Sequence, residues 1–252
     1  MVQNITRRGF VGLGLAGVLG MLAGAGPAWS AKDAEAGRLK ARPGKPTLAV
    51  QPGIQPLGLA EGKDGIFSVP KGYSPDKPVP LVIMLHGARG RTEGFNTFCE
   101  MANDAGLACV APDSRGRTWD LVLGGYGPDI AFLDKALEHV FARVAVNPRR
   151  IAIAGFSDGA SYALSVGLAN GDLFTHVIPF SPGFMQSSNR KGKPSIWISH
   201  GTEDQILPFS TTRGRILPQL EELGYVVRFR KFEGGHEVTP DLVREAFGWF
   251  AK

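Results

Sequence analysis

The chain has 252 residues and a formal net charge of +5, with 43% hydrophobic and 20% charged residues. This length accommodates one sizeable α/β domain, and the composition is that of an ordinary globular protein. No block of Lys or Arg, and no interleaving of basic and aromatic residues, indicates a nucleic-acid partner, so we expect none.

The first thirty residues predict a signal peptide. Arg7 and Arg8 precede a weakly apolar, glycine-rich run, and small residues follow near Ala28. The start Thr-Arg-Arg-Gly-Phe-Val resembles a twin-arginine signal. We therefore expect residues 1–30 to engage export machinery and to be cleaved, which predicts a periplasmic or secreted bacterial protein whose only membrane contact is this segment. An uncleaved anchor over residues 10–28 is the alternative, and the glycines disfavour it.

Residues 31–46 have no apolar periodicity and predict a flexible segment before one domain at 47–252. No linker or repeat divides that domain. The two cysteines, Cys99 and Cys109, lack zinc-ligand spacing. Export permits a disulfide between them, but two buried thiols are the preferred interpretation.

Continuous apolar runs predict strands that are buried on both faces, as in a parallel sheet covered by helices. Residues 225–232 alternate instead, which is typical of a strand nearer an edge, and residues 65–70 are expected to pair at the other end of the sheet. The continuous runs are residues 81–87, 107–113, 151–157, 176–182 and 195–201.

Helical patterns separate these runs. Residues 128–144 carry an apolar stripe, and a second helix is predicted directly after Ser157. Thr239 and Pro240 predict the N-cap and first turn of the last helix, with Leu242, Val243, Ala246, Phe247 and Phe250 buried. Strands alternating with helices predict an α/β fold: a doubly wound, mostly parallel sheet with helices on both faces and no large lid domain.

Ser157 is the central residue of a Gly-x-Ser-x-Gly pentad that joins a predicted strand to a predicted helix. Such a turn exposes the serine hydroxyl at the carboxyl edge of the sheet, where ligands bind in folds of this kind. A serine hydroxyl is a poor nucleophile at neutral pH, so it needs a base nearby. The pentad alone is a weak signal in a glycine-rich chain, and its partners decide the interpretation.

His236 is the best placed of the five histidines to act as that base, because it lies in a glycine-bearing loop between the last strand and the last helix. Glu203 and Asp204 follow a strand end, and either carboxylate could orient the imidazole. The order Ser157, acid, His236 is the order of a serine triad on this type of sheet.

The oxyanion that forms during acyl transfer needs two N–H donors. We expect them to be the backbone N–H groups of Ala88, in the loop after residues 81–87, and of Asp158, which follows Ser157.

With these residues in place, the chain resembles the α/β-hydrolase superfamily, and within it the phospholipase/carboxylesterase group with its polyhydroxybutyrate-depolymerase-like and feruloyl-esterase-like relatives. The similar stretches are PVPLVIMLHG, APDSRG, GPDIAFLD, IAIAGFSDGASYAL, SHGTEDQILPF and GHEVTPDLV, which span roughly residues 65 to 251. The resemblance makes Asp204 rather than Glu203 the triad acid.

The resemblance implies a serine carboxylesterase that cleaves esters, and also thioesters, through an acyl-enzyme without metal or organic cofactor. A polymer-ester depolymerase or feruloyl-type esterase is one alternative, and a non-catalytic binding protein is another. A dienelactone-hydrolase-like protein is disfavoured, because that group carries cysteine at the position of Ser157.

Four side chains are candidates for contact with a small-molecule or polymeric ester. Trp119 and Tyr126 are predicted as apolar cleft walls, with packing in the core as an equal alternative. For Arg89 and Arg115, with Arg91 and Arg117, the preferred interpretation is solvated surface side chains, and attraction of an anionic substrate is the alternative hypothesis.

Overall fold

The computed structural model describes residues 36–90, 92–186 and 188–252. The predicted signal peptide, residues 1–30, lies outside these described residues, as do residues 31–35. No helix within the described ranges combines the length and apolar character needed to cross a bilayer.

Eight strands in the described part of the chain form one sheet, in the order β1-β2-β4-β3-β5-β6-β7-β8. The strands from β4 to β8 pair in parallel along this order, whereas β1 and β2 are antiparallel to their neighbours. The predicted, mostly parallel sheet with β8 at an edge is therefore confirmed. The strands are β1 Gly53–Pro56, β2 Gly65–Val69, β3 Val79–Leu85, β4 Ala108–Pro112, β5 Val146–Phe156, β6 His176–Phe180, β7 Ser195–Gly201 and β8 Val227–Phe232.

The edge opposite β8 differs from the prediction. The strand predicted at 65–70 is β2, and β1 pairs outside it, with Gly53 opposite Val69 and Pro56 opposite Ile66. β1 has only four residues and ends in proline, so it carries little strand signal.

Helices cover both faces of the sheet, as predicted. α1 and α6 pack with one buried cluster, whereas α2, α3 and α5 pack with a second cluster on the other face. The Thr239 hydroxyl accepts from the Leu242 N–H at 3.4 Å, which confirms the predicted N-cap. The helices are α1 Asn96–Asp104, α2 Pro128–Phe141, α3 Asp158–Ala169, α4 Phe209–Thr211, α5 Leu217–Glu222 and α6 Pro240–Ala251, with a π-helical turn at Thr212–Ile216 between α4 and α5.

The segment before the domain is ordered against α2 and α3. The backbone N–H groups of Lys40 and Ala41 both donate to Asp134 Oδ1 at 2.8 Å. The Asn170 side chain accepts from the Leu39 N–H and donates to the Gly37 carbonyl, both at 2.8 Å. The prediction that residues 31–46 are flexible is thus wrong for residues 37–42, because side chains far along the sequence, rather than an apolar stripe, hold this part of the segment.

Asp172 forms ion pairs with two arginines of the same segment and with Lys191. Its carboxylate lies 3.1 Å from Arg38, 2.8 Å from Arg42 and 3.2 Å from Lys191. Burial by itself would raise the pKa of Asp172, but these cations hold it at about 2. The carboxylate therefore stays charged well below neutral pH.

Cys99 on α1 and Cys109 on β4 are buried free thiols in one apolar cluster. Burial, followed by the neighbouring Cys99, raises the pKa of Cys109 well above its ordinary value. Because the thiolate is the reactive form, these thiols serve as apolar packing groups.

Candidate active site

Ser157 follows β5 on a sharp turn, with φ 58° and ψ −120°. Neither flanking glycine of the pentad tolerates a side chain, since a Cβ at Gly155 would lie 2.3 Å from the Gly159 carbonyl oxygen. A Cβ at Gly159 would lie 2.4 Å from the His86 carbonyl oxygen. The glycines thus let β3, β5 and α3 approach closely enough to hold Ser157 in a left-handed conformation that serine rarely adopts.

His236 reaches Ser157 from the loop between β8 and α6. Its Nε2 lies 2.8 Å from Ser157 Oγ, and its Nδ1 lies 2.7 Å from Asp204 Oδ2. An ionised carboxylate can only accept, so the ring proton is on Nδ1 and Nε2 accepts from the serine hydroxyl. Phe156 packs against the imidazole with ring centroids 4.8 Å apart.

Backbone hydrogen bonds join the loop after β7 to the loop after β8. The Thr202 N–H donates to the Phe232 carbonyl and the Glu203 N–H to the Gly234 carbonyl, both at 2.9 Å. A Cβ at Gly201 would lie 2.3 Å from the Gly235 carbonyl oxygen, so glycine is needed where the loops meet. These contacts fix Asp204 and His236 relative to each other.

Asp204 is buried, whereas Glu203 is exposed. Asp204 Oδ1 accepts from the Ile206 N–H at 2.9 Å and the Leu207 N–H at 2.8 Å. Burial alone would raise the pKa of Asp204, but the hydrogen bonds from His236, Leu207 and Ile206 lower it below its ordinary value. Of the two carboxylates that the sequence left open, Asp204 is the one that contacts His236.

The loop after β3 passes beside Ser157, because a Cβ at Gly87 would lie 3.3 Å from Ser157 Cβ. The His86 side chain forms two hydrogen bonds that hold this loop. Its Nδ1 donates to the Gly87 carbonyl at 2.7 Å, and its Nε2 accepts from the Ser114 N–H at 2.9 Å. Burial lowers the pKa of His86, which keeps the ring neutral. The β3 loop therefore has a fixed position next to the serine.

Two backbone donors at this edge have no acceptor among the described residues: the N–H groups of Ala88 and Asp158. Asp158 is the first residue of α3, and the first N–H groups of a helix have no intrahelical partner. The Asp158 carboxylate is engaged elsewhere, since it accepts from Thr118 Oγ1 at 2.5 Å.

The structure places Trp119 and Tyr126 in the core rather than in the cleft. Trp119 is only 1% exposed, stacks on Tyr162 at 5.0 Å and donates from Nε1 to the His86 carbonyl at 2.8 Å. Tyr126 packs against Tyr162 and the backbone at Gly37. The prediction that Trp119 forms a cleft wall is corrected, because its ring is buried, and the half-buried Tyr126 packs against the same core cluster.

The predicted contact of Arg115 with substrate is also corrected. Its guanidinium lies 3.6 Å from the centroid of the Phe132 ring on α2 and donates to the Asp113 carbonyl at 2.9 Å. Arg89 is exposed in the β3 loop, with φ 56°, and its N–H donates to the Arg117 carbonyl at 2.8 Å. Of the four candidate side chains, Arg89 is the one that is exposed, and it lies in the same loop as Gly87.

The site includes residues that sequence reasoning missed. Ser161 and Ser165, four residues apart on α3, hold the loop after β6: Ser161 Oγ accepts from the Gly183 N–H at 2.9 Å and Ser165 Oγ from the Gln186 N–H at 2.8 Å. The sequence signal that could have identified them is two serines four residues apart on an otherwise apolar helix. His200 is fully buried and lies beside Asp204.

No group of three or more His, Cys, Asp or Glu side chains in the described ranges is arranged to hold a metal ion.

Residues 130–249 match the family model described as Phospholipase/Carboxylesterase. Feruloyl esterase C of Emericella nidulans is 22% identical over 213 residues, which cover 71% of this chain and 78% of that protein. Feruloyl esterase B of Piromyces equi is 24% identical over 164 residues, which cover 58% of this chain but 30% of that protein.

Solved structures of esterases share the fold. Esterase PE8 superposes with a TM-score of 0.61 and 22% identity, covering 73% of this chain and 96% of that one. A fluorophosphonate-binding serine hydrolase of Staphylococcus aureus superposes with a TM-score of 0.65 and 15% identity, covering 80% of this chain and 100% of that one. The chain therefore has an α/β-hydrolase fold, and residues 130–249 are similar to the phospholipase/carboxylesterase family.

Proposed function

We propose that this protein is an exported serine esterase that cleaves carboxylic esters, and thioesters, through an acyl-enzyme on Ser157. The observation that carries the proposal is the hydrogen-bond chain from Ser157 Oγ to His236 Nε2 at 2.8 Å and from His236 Nδ1 to Asp204 Oδ2 at 2.7 Å. This arrangement supports a triad of nucleophile, base and orienting acid.

In the acylation step, His236 Nε2 takes the hydroxyl proton as Ser157 Oγ attacks the carbonyl carbon of the ester. The N–H groups of Ala88 and Asp158 stabilise the negative oxygen of the tetrahedral intermediate. Asp204 stabilises the imidazolium, which then gives its proton to the departing alkoxide or thiolate. The alcohol or thiol leaves, and the acyl group stays on Ser157.

In the second step, His236 takes a proton from a water molecule, which attacks the acyl carbonyl. The same N–H groups stabilise the second tetrahedral intermediate. When it collapses, Ser157 Oγ leaves with the proton carried by His236, and the carboxylic acid is released. Each step is general acid–base catalysis by one imidazole.

Esters of polymers or of feruloyl-type aromatic acids are the second candidate substrates. The similarity to two feruloyl esterases favours them, and so does the short connection over residues 181–194, whose described residues include no helix that could cover the cleft. A binding protein with an inactive triad is the remaining alternative. It is disfavoured because Ser157, His236 and Asp204 are all chemically competent and hydrogen-bonded to one another.

Arg89 supports a preference for substrates that carry a carboxylate or phosphate. Its exposed side chain is two residues from Gly87, which passes beside Ser157. The preference predicts that added salt raises KM for an anionic ester more than for a neutral one, and that Arg89→Gln removes the difference. Equal salt dependence of both KM values would contradict it.

The location outside the cytoplasm rests on residues 1–30 alone, whose order of charged, apolar and small residues is that of a signal peptide. Expression in a bacterium, followed by fractionation and N-terminal sequencing, tests it. We expect a chain that begins near Ala31 in the periplasm or medium, and a full-length chain in the cytoplasm would contradict export.

The activity is tested on purified protein with p-nitrophenyl esters of increasing acyl length, methyl ferulate and an insoluble polyester. We expect hydrolysis of short p-nitrophenyl esters by the native chain and none above background by Ser157→Ala. Soluble product from the polyester, or faster cleavage of methyl ferulate, would favour the second candidates. Folded protein that cleaves no member of the panel would contradict the proposal.

A further inference from the structure

Asp204, the acid of the proposed triad, is contacted by two histidines. His236 approaches from the β8–α6 loop, and His200 approaches from the end of β7, inside the sheet. His200 Nε2 lies 3.2 Å from Asp204 Oδ2 and 2.8 Å from the Leu207 carbonyl oxygen, and both side chains are 0% exposed. Asp204 Oδ2 therefore faces an imidazole nitrogen on either side.

The neighbours of His200 define its protonation. Burial, the largest influence, lowers the pKa of His200, so the ring is neutral. Because the Leu207 carbonyl and Asp204 only accept, the single ring proton lies on Nε2 and is shared between them. Nδ1 lies 2.8 Å from Thr212 Oγ1, whose hydroxyl hydrogen is shared between Nδ1 and the Pro182 carbonyl oxygen.

Thr212 extends the contact to the loop after β6. It is fully buried at the start of the π-helical turn, and its Oγ1 is also 3.2 Å from the Pro182 carbonyl oxygen. Gly183, which follows Pro182 in the chain, packs closely on Leu207, since a Cβ at Gly183 would lie 2.9 Å from Leu207 Cδ2. His200 thus contacts the acid and, through Thr212, the loop that packs against the acid's own loop.

We propose that His200 is a positioning residue for Asp204, an inference that rests on the proposed function of the triad. His200 supplies a donor to the oxygen that orients His236, while the Ile206 and Leu207 N–H groups hold the other oxygen. With donors on both oxygens, the carboxylate stays ionised and cannot rotate away from His236. Among the described residues, the titratable groups that contact Asp204 are these two histidines.

Two substitutions separate this role from simple packing. The amide nitrogen of His200→Gln reaches about as far as Nε2 and retains a donor toward Asp204, whereas that of His200→Asn corresponds to Nδ1 and does not. We expect kcat of His200→Asn to fall about tenfold to a hundredfold, as for a lost hydrogen bond to a charged group, with KM within about threefold. His200→Gln is expected to recover most of that loss.

The pH profile gives a readout that packing does not move. A carboxylate with fewer donors stabilises an imidazolium partner more strongly, so the acid limb of kcat/KM is expected at higher pH in His200→Asn than in the native protein or His200→Gln. Equal losses in both variants, with unchanged pH profiles and matching losses of thermal stability, would overturn the proposal.

Nitrogen-15 NMR of histidine-labelled native protein keeps the proposal testable even where a variant does not fold. We expect His200 to be neutral with its proton on Nε2 throughout the active pH range, and a proton on Nδ1 would overturn the assignment. The triad itself is tested separately by Ser157→Ala: an inactive Ser157→Ala together with a fully active His200→Asn would contradict only the role of His200.

Discussion

Asp204 and Asp134 are two buried carboxylates that hold loops in the same way. One oxygen of Asp204 accepts from the N–H groups of Ile206 and Leu207, and one oxygen of Asp134 accepts from those of Lys40 and Ala41. The difference lies at the other oxygen of Asp204, which contacts His236. A buried aspartate commonly holds a loop by accepting hydrogen bonds from backbone N–H groups. What distinguishes Asp204 from Asp134 is its contact with an imidazole, on which the proposed chemistry depends.

The largest expected effect is on the reacting group itself. Ser157→Ala removes the nucleophile, and kcat/KM is expected to fall by about 10⁴-fold or more. Thermal unfolding should change little, because among the described residues His236 is the one hydrogen-bond partner of the hydroxyl. Ester hydrolysis and thermal denaturation of the two proteins check this, and residual activity within tenfold of native would contradict the role of Ser157.

Replacing each of these two aspartates by asparagine separates a catalytic role from a structural one. In Asp204→Asn the amide cannot hold the imidazole proton on Nδ1 as a carboxylate does, so kcat is expected to fall by about 10³- to 10⁴-fold. Asp134→Asn should leave kcat within about twofold and lower the free energy of unfolding by roughly 1 kcal/mol. Steady-state kinetics measure kcat, and urea unfolding measures the free energy of unfolding. Similar losses of kcat in the two variants would contradict the different roles of Asp204 and Asp134.

A third carboxylate, Asp158, adjoins Ser157 but is proposed to act through its N–H alone. Asp158→Ala keeps that N–H and loses only the hydrogen bond from Thr118, so kcat/KM is expected to fall by less than about tenfold. Thr118→Val, which loses the same hydrogen bond from the other side, is the matched control and should behave alike. A loss in Asp158→Ala that approaches that of Ser157→Ala would give its side chain a direct role.

The smallest expected effect concerns stability at low pH. The folded-state pKa of Asp172 is about 2, below its ordinary value of 3.8, so its ion pairs stabilise the fold above pH 4 and are lost as the pH falls toward 2. Because its partners are partly exposed, the contribution is expected to be about 1 kcal/mol. The difference in unfolding free energy between native protein and Asp172→Asn should therefore shrink by about half from pH 6 to pH 3. If this difference in unfolding free energy stays constant, the ion pairs of Asp172 make no pH-dependent contribution to stability.

The central strands and the approach of Ser157, Asp204 and His236 were predictable because both follow from short-range rules. Continuous apolar runs identify strands buried on both faces, and the carboxyl ends of parallel strands meet at one edge. Three chemically matched residues, each just past a strand, therefore had to come near one another. The glycines of the pentad were predictable for the same reason, since only they permit the close approach at the turn.

What could not be predicted depends on contacts between distant parts of the chain. Residues 37–42 lack apolar periodicity, and the acceptors that order them, Asp134 and Asn170, lie about ninety or more residues away. The directions of Trp119 and Arg115 are set by Tyr162 and Phe132, which the loop sequence does not reveal. His200 differs, because its contacts with Asp204, Leu207 and Thr212 are local in sequence but depend on how the loop after β7 folds around the ring.

The most direct test of the proposed triad is labelling with a fluorophosphonate, which reacts only with an activated serine. We predict one label per chain, mapped by peptide mass spectrometry to Ser157, absent in Ser157→Ala and strongly slowed in His236→Gln. A label on another residue, or a native protein that stays unlabelled while it hydrolyses esters, would contradict the account.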